Sequence, residues 1–197
     1  MKYTKGIIRG MIIGDGYARK NQLTIQHSLA QEEYLIYKAK RLETLLNKSI
    51  NVFTKQFNGY FAKVFRISHQ LIGVVQGQIY KNGKKHITKQ LLHTIPDEGI
   101  AYWYLDDGSL YEKKNGKGYE LVISTYFETE DEALDVISFF KERYKCTFTV
   151  KRNKGRFSIR CGKASAINFL SSILQYIPEC MYYKTFEKRI PPEMVKI

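Results

Sequence analysis

The sequence predicts an α+β protein of two pseudo-symmetric halves, each running helix, strand hairpin, helix, strand hairpin, helix. Three observations carry that expectation. An apolar run closed by Asp-Gly occurs twice, as IRGMIIGDG from Ile8 to Gly16 and IAYWYLDDG from Ile100 to Gly108, at an offset of 92. The same alternation of strand-like and helix-like segments follows each copy. The length, 197 residues, suits one large domain or two small ones sharing a core.

In the first half, the apolar run reads as a helix closed by Asp-Gly, and Gly16 is expected in the left-handed conformation that ends one. LTIQHS (Leu23 to Ser28) alternates as a strand, and Gln31 to Leu46 reads as a helix. Val52 to Ser68 alternates around Asn58-Gly59, a hairpin signal, and Leu71 to Tyr80 is a further helix. In the second half, Ala101 to Leu105 is buried helix and Gly108 takes the closing place of Gly16. ELVIST (Glu120 to Thr125) is the strand, and Glu130 to Tyr144 is a helix with acids in its first turn. Phe148 to Arg160 turns at Lys154-Gly155, and Ala164 to Tyr176 closes the series. Each half ends in a short basic tail. The stretch 82–99, holding Gly83 and Pro96, reads as the linker between an N-terminal half, 1–95, and a C-terminal half, 96–197.

Composition narrows the class of function. At 44% hydrophobic the chain can fill a core, yet no apolar run approaches the roughly 20 residues of a membrane helix. Arg9 and Asp15 break the N-terminal apolar stretch, which makes a poor secretory signal. Cys146, Cys161 and Cys180 form no CxxC pair, so free thiols in a reducing, intracellular setting are expected, cytoplasmic, nucleoid-associated or organellar. The sequon at Asn47 is then incidental. A net charge of +13, most of it before residue 98, favours a polyanionic partner, of which nucleic acid is the commonest.

The two Asp-Gly ends suggest a chemistry. Gly10 and Gly14 share a helix face and allow close approach of a second helix. Packing of the two equivalent helices brings Asp15 and Asp107 together. At 4 Å their repulsion is about 4 kcal/mol for an effective dielectric of 20, and the negative helix ends add to it. A divalent cation with oxygen ligands removes that cost, and Mg²⁺ suits carboxylates beside phosphate. Such an arrangement serves phosphoryl transfer. The sequence thus assigns the balancing positive charge to a metal.

With these residues in view, the chain resembles the LAGLIDADG homing endonucleases, in their monomeric, two-motif branch. The resemblance spans nearly the whole chain and implies αββαββα halves packed through the motif helices, with antiparallel sheets forming a DNA-binding saddle. It implies Asp15 and Asp107 as catalytic metal ligands, joined by the main-chain carbonyls of Gly14 and Asp106, with Mg²⁺ as cofactor and Mn²⁺ or Ca²⁺ able to replace it for binding. It further implies a catalytic lysine per centre. Lys85 in KHIT fits, although Thr88 stands where proline is usual, and Lys84 and Lys89 compete with it; Lys184 in MYYK fits the second. Tyr102 and Asp106 stand at the places of Gly10 and Gly14, so the helix contact is expected to be asymmetric.

Strand alternation supplies candidate DNA contacts: Arg19, Gln22, Thr24, Gln26, Lys55, Gln56, Lys63 and Arg66 in the first half, and Ser124, Lys151, Arg152, Lys154, Arg156, Ser158 and Arg160 in the second. The loop YEKKNGKG adds Lys113, Lys114 and Lys117 for phosphates. The implied activity is a site-specific, metal-dependent double-strand break leaving 3′ overhangs, by a monomer acting on double-stranded DNA. The alternatives are an RNA maturase acting on intron RNA and a DNA-binding regulator without catalysis. Pro96-Asp97 with Glu112-Lys113-Lys114 also satisfies the PD…ExK pattern, but a helix-like segment separates its parts. His27, His69, His86 and His93 lack zinc spacing and read as surface or core histidines. Met1 is no splicing nucleophile, so an intein is not expected.

Overall fold

A stripe of apolar residues with glycine every fourth position makes α1 (Lys2–Ile13) a helix that is buried all round from Gly6 to Ile13. The structure, a computed structural model, describes residues 1–116, 118–153 and 155–187. After α1 come β1 (Tyr17–Arg19), β2 (Gln22–Ser28), α2 (Glu32–Leu46), β3 (Val52–Phe57), β4 (Tyr60–Ser68) and α3 (Gln70–Ile79). The four strands form one antiparallel sheet in the order β1-β2-β4-β3. Its hairpin turns at Asn58-Gly59, where Gly59 has a positive φ of 85° that a side chain would strain.

The expected linker is structured instead. β5 (Tyr80–Lys81) and β6 (Lys84–Lys85) pair as a small hairpin, and α4 (Lys89–His93) follows with Thr88 capping it. Its last residues belong to α5 (Asp97–Asp107), which starts earlier than the apolar run because Asp97 and Glu98 suit a helix first turn. The chain continues through β7 (Gly108–Glu112), β8 (Tyr119–Phe127), α6 (Glu130–Tyr144), β9 (Thr149–Asn153), β10 (Arg156–Gly162) and α7 (Lys163–Ile173), then a 3-10 segment, Glu179–Lys184. The second sheet has the order β7-β8-β10-β9, the same topology as the first.

The strand registers make the repeat quantitative. Ala18 lies opposite Leu23, and Leu110 opposite Leu121; Tyr17 lies opposite Thr24, and Ser109 opposite Val122. The offset of 92 therefore widens to 98 across the longer loop between β7 and β8. At 98, His27 corresponds to Thr125 and Lys38 to Val136. Asn47 and Lys145, also 98 apart, both close their helices in the left-handed conformation.

The helices α1 and α5 cross through glycine. A Cβ on Gly10 would fall into the Gly99 carbonyl, one on Gly6 into the Pro96 ring, and one on Gly14 into the Asp106 carboxylate. The contact is asymmetric, as Tyr102 foretells: α5 approaches through Gly99, before its motif, while Tyr102 is fully buried and bonded to Glu98. Gly10→Ala should cost about 1–3 kcal/mol by overpacking, read as a lowered urea midpoint; an unchanged midpoint would show that the helices have room to part.

The expected left-handed glycines are corrected. Gly108 has φ −88° and ψ 155°, and Gly16 is absent from the positive-φ residues. Both are small for packing reasons. The chain folds back so tightly that a Cβ on Gly16 would meet the Met11 carbonyl at 2.5 Å, and one on Gly108 would overlap the Tyr104 ring. Under the seam, Trp103, Tyr102, Tyr104, Phe139, Phe140 and Phe169 fill the core. All three cysteines are free, and among the described residues no helix is long and apolar enough to cross a membrane.

Candidate active site at the helix seam

The seam delivers its acids to one place. Asp15 follows the end of α1, and its backbone N–H donates to Asp106 Oδ2 at 2.9 Å. Asp107 is the last residue of α5. The Asp15 side chain is 43% exposed, whereas that of Asp106 is wholly buried. Burial, and then the negative charge of Asp106, push the Asp15 carboxyl up to about 6. Burial also raises Asp107, against the stabilising hydrogen bond from Thr125. Acids that resist ionisation in the bare protein are acids that a cation would favour.

Both sequence-predicted lysines arrive there. The β5–β6 hairpin carries Lys85 to the end of α1, where its Nζ donates to the Gly14 carbonyl at 2.5 Å. The 3-10 segment carries Lys184 to the end of α5, where its Nζ donates to the Leu105 carbonyl at 2.6 Å and lies 3.5 Å from the Asp106 carbonyl. The Tyr104 hydroxyl anchors that segment by donating to the Lys184 carbonyl. Burial lowers both ammonium pKa values, while the three aspartates oppose the shift. Lys84 and Lys89 pair with Glu128 and Glu142.

A side chain also brings positive charge to the seam. Lys38, on α2 and fully buried, places its Nζ 2.5 Å from Asp106 Oδ1. Tyr34 donates to the same oxygen at 3.1 Å, and its ring lies under the ammonium. His27 Nε2 is 3.1 Å from the Lys38 Nζ, and His27 Nδ1 is 3.5 Å from Asp15 Oδ2. Burial, and then the Lys38 charge, hold the imidazole pKa down to about 3, so it is neutral. The carboxyl group of Asp106 is thus already partnered by Lys38, Tyr34 and the Asp15 backbone, while its main-chain carbonyl is the expected ligand candidate. Both Lys38 and His27 left a trace in the sequence. Lys38 sits on the inward face with Tyr34, Leu35 and Leu42, and His27 takes the inward phase of Leu23 and Ile25.

In the other half, Asp107 Oδ2 accepts from the Thr125 hydroxyl and from the Trp103 indole at 3.2 Å. Asp107, Thr125, Gly14 and Lys85 line one cleft of ≈ 850 Å³, together with Ser124 and Arg156 from the predicted contact set. Of the PD…ExK residues, Asp97 starts α5, about 15 Å from Asp107 along the helix, and accepts from Arg143 and Tyr144.

The strand residues divide by face. Arg19, Gln22, Thr24, Gln26, Lys55 and Arg66 share the face of the first sheet away from α2, by the pairings of Arg19 with Gln22, Thr24 with Arg66 and Lys55 with Ala62. Gln56 and Lys63 take the opposite face, and Lys63 pairs with Glu32 at 2.7 Å. In the second sheet Arg152 and Arg156 are exposed, and Lys151 is half-buried. Arg160 and Lys113 lie 3.3 and 3.9 Å from Glu120, and Lys114 is exposed. Ser158 is buried where β10 bulges, its hydroxyl donating to the Lys151 carbonyl at 3.4 Å. Lys117 and Lys154 lie outside the described residues.

The sequence model of the LAGLIDADG DNA endonuclease family matches residues 5–169. The uncharacterized protein MJ1098 of Methanocaldococcus jannaschii is 27% identical over 178 residues, 87% of this chain and 68% of that one. Among solved structures, the homing endonuclease I-WcaI bound to its DNA recognition sequence aligns with a TM-score of 0.75 at 21% identity, over 93% of this chain and 86% of that one. The N-terminal LAGLIDADG domain of WhiA aligns at 0.54 and 14% identity, over 87% and 82%. I-DmoI in complex with DNA and Mn aligns at 0.53 and 14%, over 89% and 98%. At these identities the solved structures establish the fold.

Proposed function

Since the chain belongs to the LAGLIDADG DNA endonuclease family, we propose that it is a monomeric, site-specific homing endonuclease that cuts both strands of a long duplex. The observation that carries this reading is the meeting of two motif acids, two main-chain carbonyls and two lysines at one seam. One centre comprises Asp107, the Gly14 carbonyl and Lys85, and the other Asp15, the Asp106 carbonyl and Lys184. The halves 1–95 and 96–197 are the corresponding functional units.

The donor set fits Mg²⁺: hard oxygens only, with carboxyls that burial has made reluctant to ionise unaided. Mn²⁺ or Ca²⁺ would serve for binding. A divalent ion held there would polarise the scissile phosphate, activate a water and stabilise the departing 3′ oxygen. Lys85 and Lys184 place positive charge beside the phosphate oxygens as their charge grows. The sheet faces away from the helices carry Arg19, Gln22, Gln26, Lys55, Arg66 and Arg156, which position the duplex through phosphates and read base edges. Products would carry 5′ phosphates and short 3′ overhangs.

The test is incubation with a library of duplex sites, with Mg²⁺ or with EDTA, followed by sequencing of the ends. Paired cuts with 3′ overhangs in Mg²⁺ alone are expected. Tight binding without cuts would identify a DNA-binding regulator, and selective binding of structured RNA a maturase. If about eight phosphates are contacted, raising salt from about 50 to 200 mM should weaken DNA binding by roughly 10³- to 10⁵-fold. A filter-binding series in salt measures this, and a flat response would contradict the docking face.

A further inference from the structure

The two candidate centres are steadied by different donors. At positions equivalent in the repeat, His27 faces Asp15 and Thr125 bonds Asp107. Lys38, the buried ammonium behind His27, corresponds to the apolar Val136. We propose that Lys38 and His27 form a positioning pair that orients Asp15 alone, so that the two strands are cut at unequal rates. The kinetic consequence rests on the nuclease reading above; the pair itself does not.

An ammonium offers donors and no acceptor. Lying 3.1 Å from His27 Nε2, Lys38 requires that nitrogen to accept, which puts the imidazole proton on Nδ1, toward Asp15 Oδ2 at 3.5 Å. Lys38 is itself held by Asp106 Oδ1, and Asp106 Oδ2 takes the Asp15 backbone N–H. One buried chain of groups therefore reaches both the main chain and the side chain of Asp15. Asp15, His27 and Asp106 have ligand atoms within 4.8 Å of one another, a spacing that would suit a metal. The Lys38 ammonium already contacts two of the three, so that place is taken by a side chain. Asp107 needs no such relay. The Thr125 hydroxyl and the Trp103 indole bond its carboxylate directly, whereas the His27 contact to Asp15 is longer, at 3.5 Å. The Asp107 centre should act first.

Two measurements test the pair. By ¹⁵N-detected NMR of the metal-free protein at neutral pH, His27 should be the Nδ1–H tautomer. Lys38→Met should lose that preference, with Lys38→Met/Asp106→Asn as the version that removes the buried charge together with its partner. An unchanged tautomer in both variants would overturn the role of Lys38. On an end-labelled duplex, His27→Ala should slow the strand that Asp15→Asn also silences by about 10- to 100-fold, leaving nicked product, and Thr125→Val should slow the opposite strand. Equal slowing of both strands by His27→Ala, or of neither, would overturn the assignment to Asp15. A parent protein that cuts neither strand would instead reject the nuclease reading, and the tautomer would still decide the pair.

Discussion

Asp107→Asn should eliminate double-strand cleavage while duplex binding survives, and Asp15→Asn should do the same through the opposite strand. The amide keeps the shape of the carboxylate. At Asp107 its oxygen still accepts from Thr125 and Trp103, so α5 keeps its end. What disappears is the negative charge that, on the proposed reading, would hold a cation beside the scissile phosphate. Such a cation supplies several kcal/mol of charge stabilisation, so the affected strand should slow by ~10³-fold or more. Strand-specific end-labelling, with gel shift in Ca²⁺ for binding, reads both quantities. Full cleavage by a variant lacking both acids would end the mechanism. Each single variant should still nick one strand, because the proposed reading gives each acid its own centre.

Lys38→Met should destabilise the protein more than any surface change. Methionine matches the length of lysine, but it strips Asp106 of a cation in a place where neither side chain reaches water. Breaking a buried pair by removing one partner costs about 3–5 kcal/mol, or very roughly 6–20 °C in Tm for a chain of this size. Adding Asp106→Asn should recover much of the loss, since the uncompensated charge then goes too. Thermal unfolding of the parent, the single and the double variant measures this. A single variant as stable as the parent would mean that Asp106 finds its charge balance elsewhere.

Much of the architecture was legible because it rests on local signals. The helix Glu130–Tyr144 has acids at its start and a 3.6-residue apolar rhythm, and it forms over those residues. The hairpin turns at Asn58-Gly59 and at Gly155 follow from the need for positive φ within an alternating run. Lys85 and Lys184 were found by repeat position and by resemblance, and both come to the seam. Other readings failed where one residue type serves two ends. Glycine after aspartate suggested a left-handed cap, yet Gly16 and Gly108 are small because the chain passes against its own helix. The stretch 82–99 looked like a linker because turn residues mark hairpins and linkers alike.

The sequence by itself determined the duplication, the order of helices and hairpins, and the pair of acids that close the motif helices. These depend on neighbours a few residues apart, whose spacing is set by backbone geometry. Only the tertiary structure decided which side chains stand against Asp106 and Asp15. Lys38 lies 68 residues from Asp106 and His27 lies 12 from Asp15, and nothing local ties either pair together. Burial of α2 beneath the seam brings an ammonium to a carboxylate where water cannot screen them, and that contact has no counterpart in the linear pattern of charge.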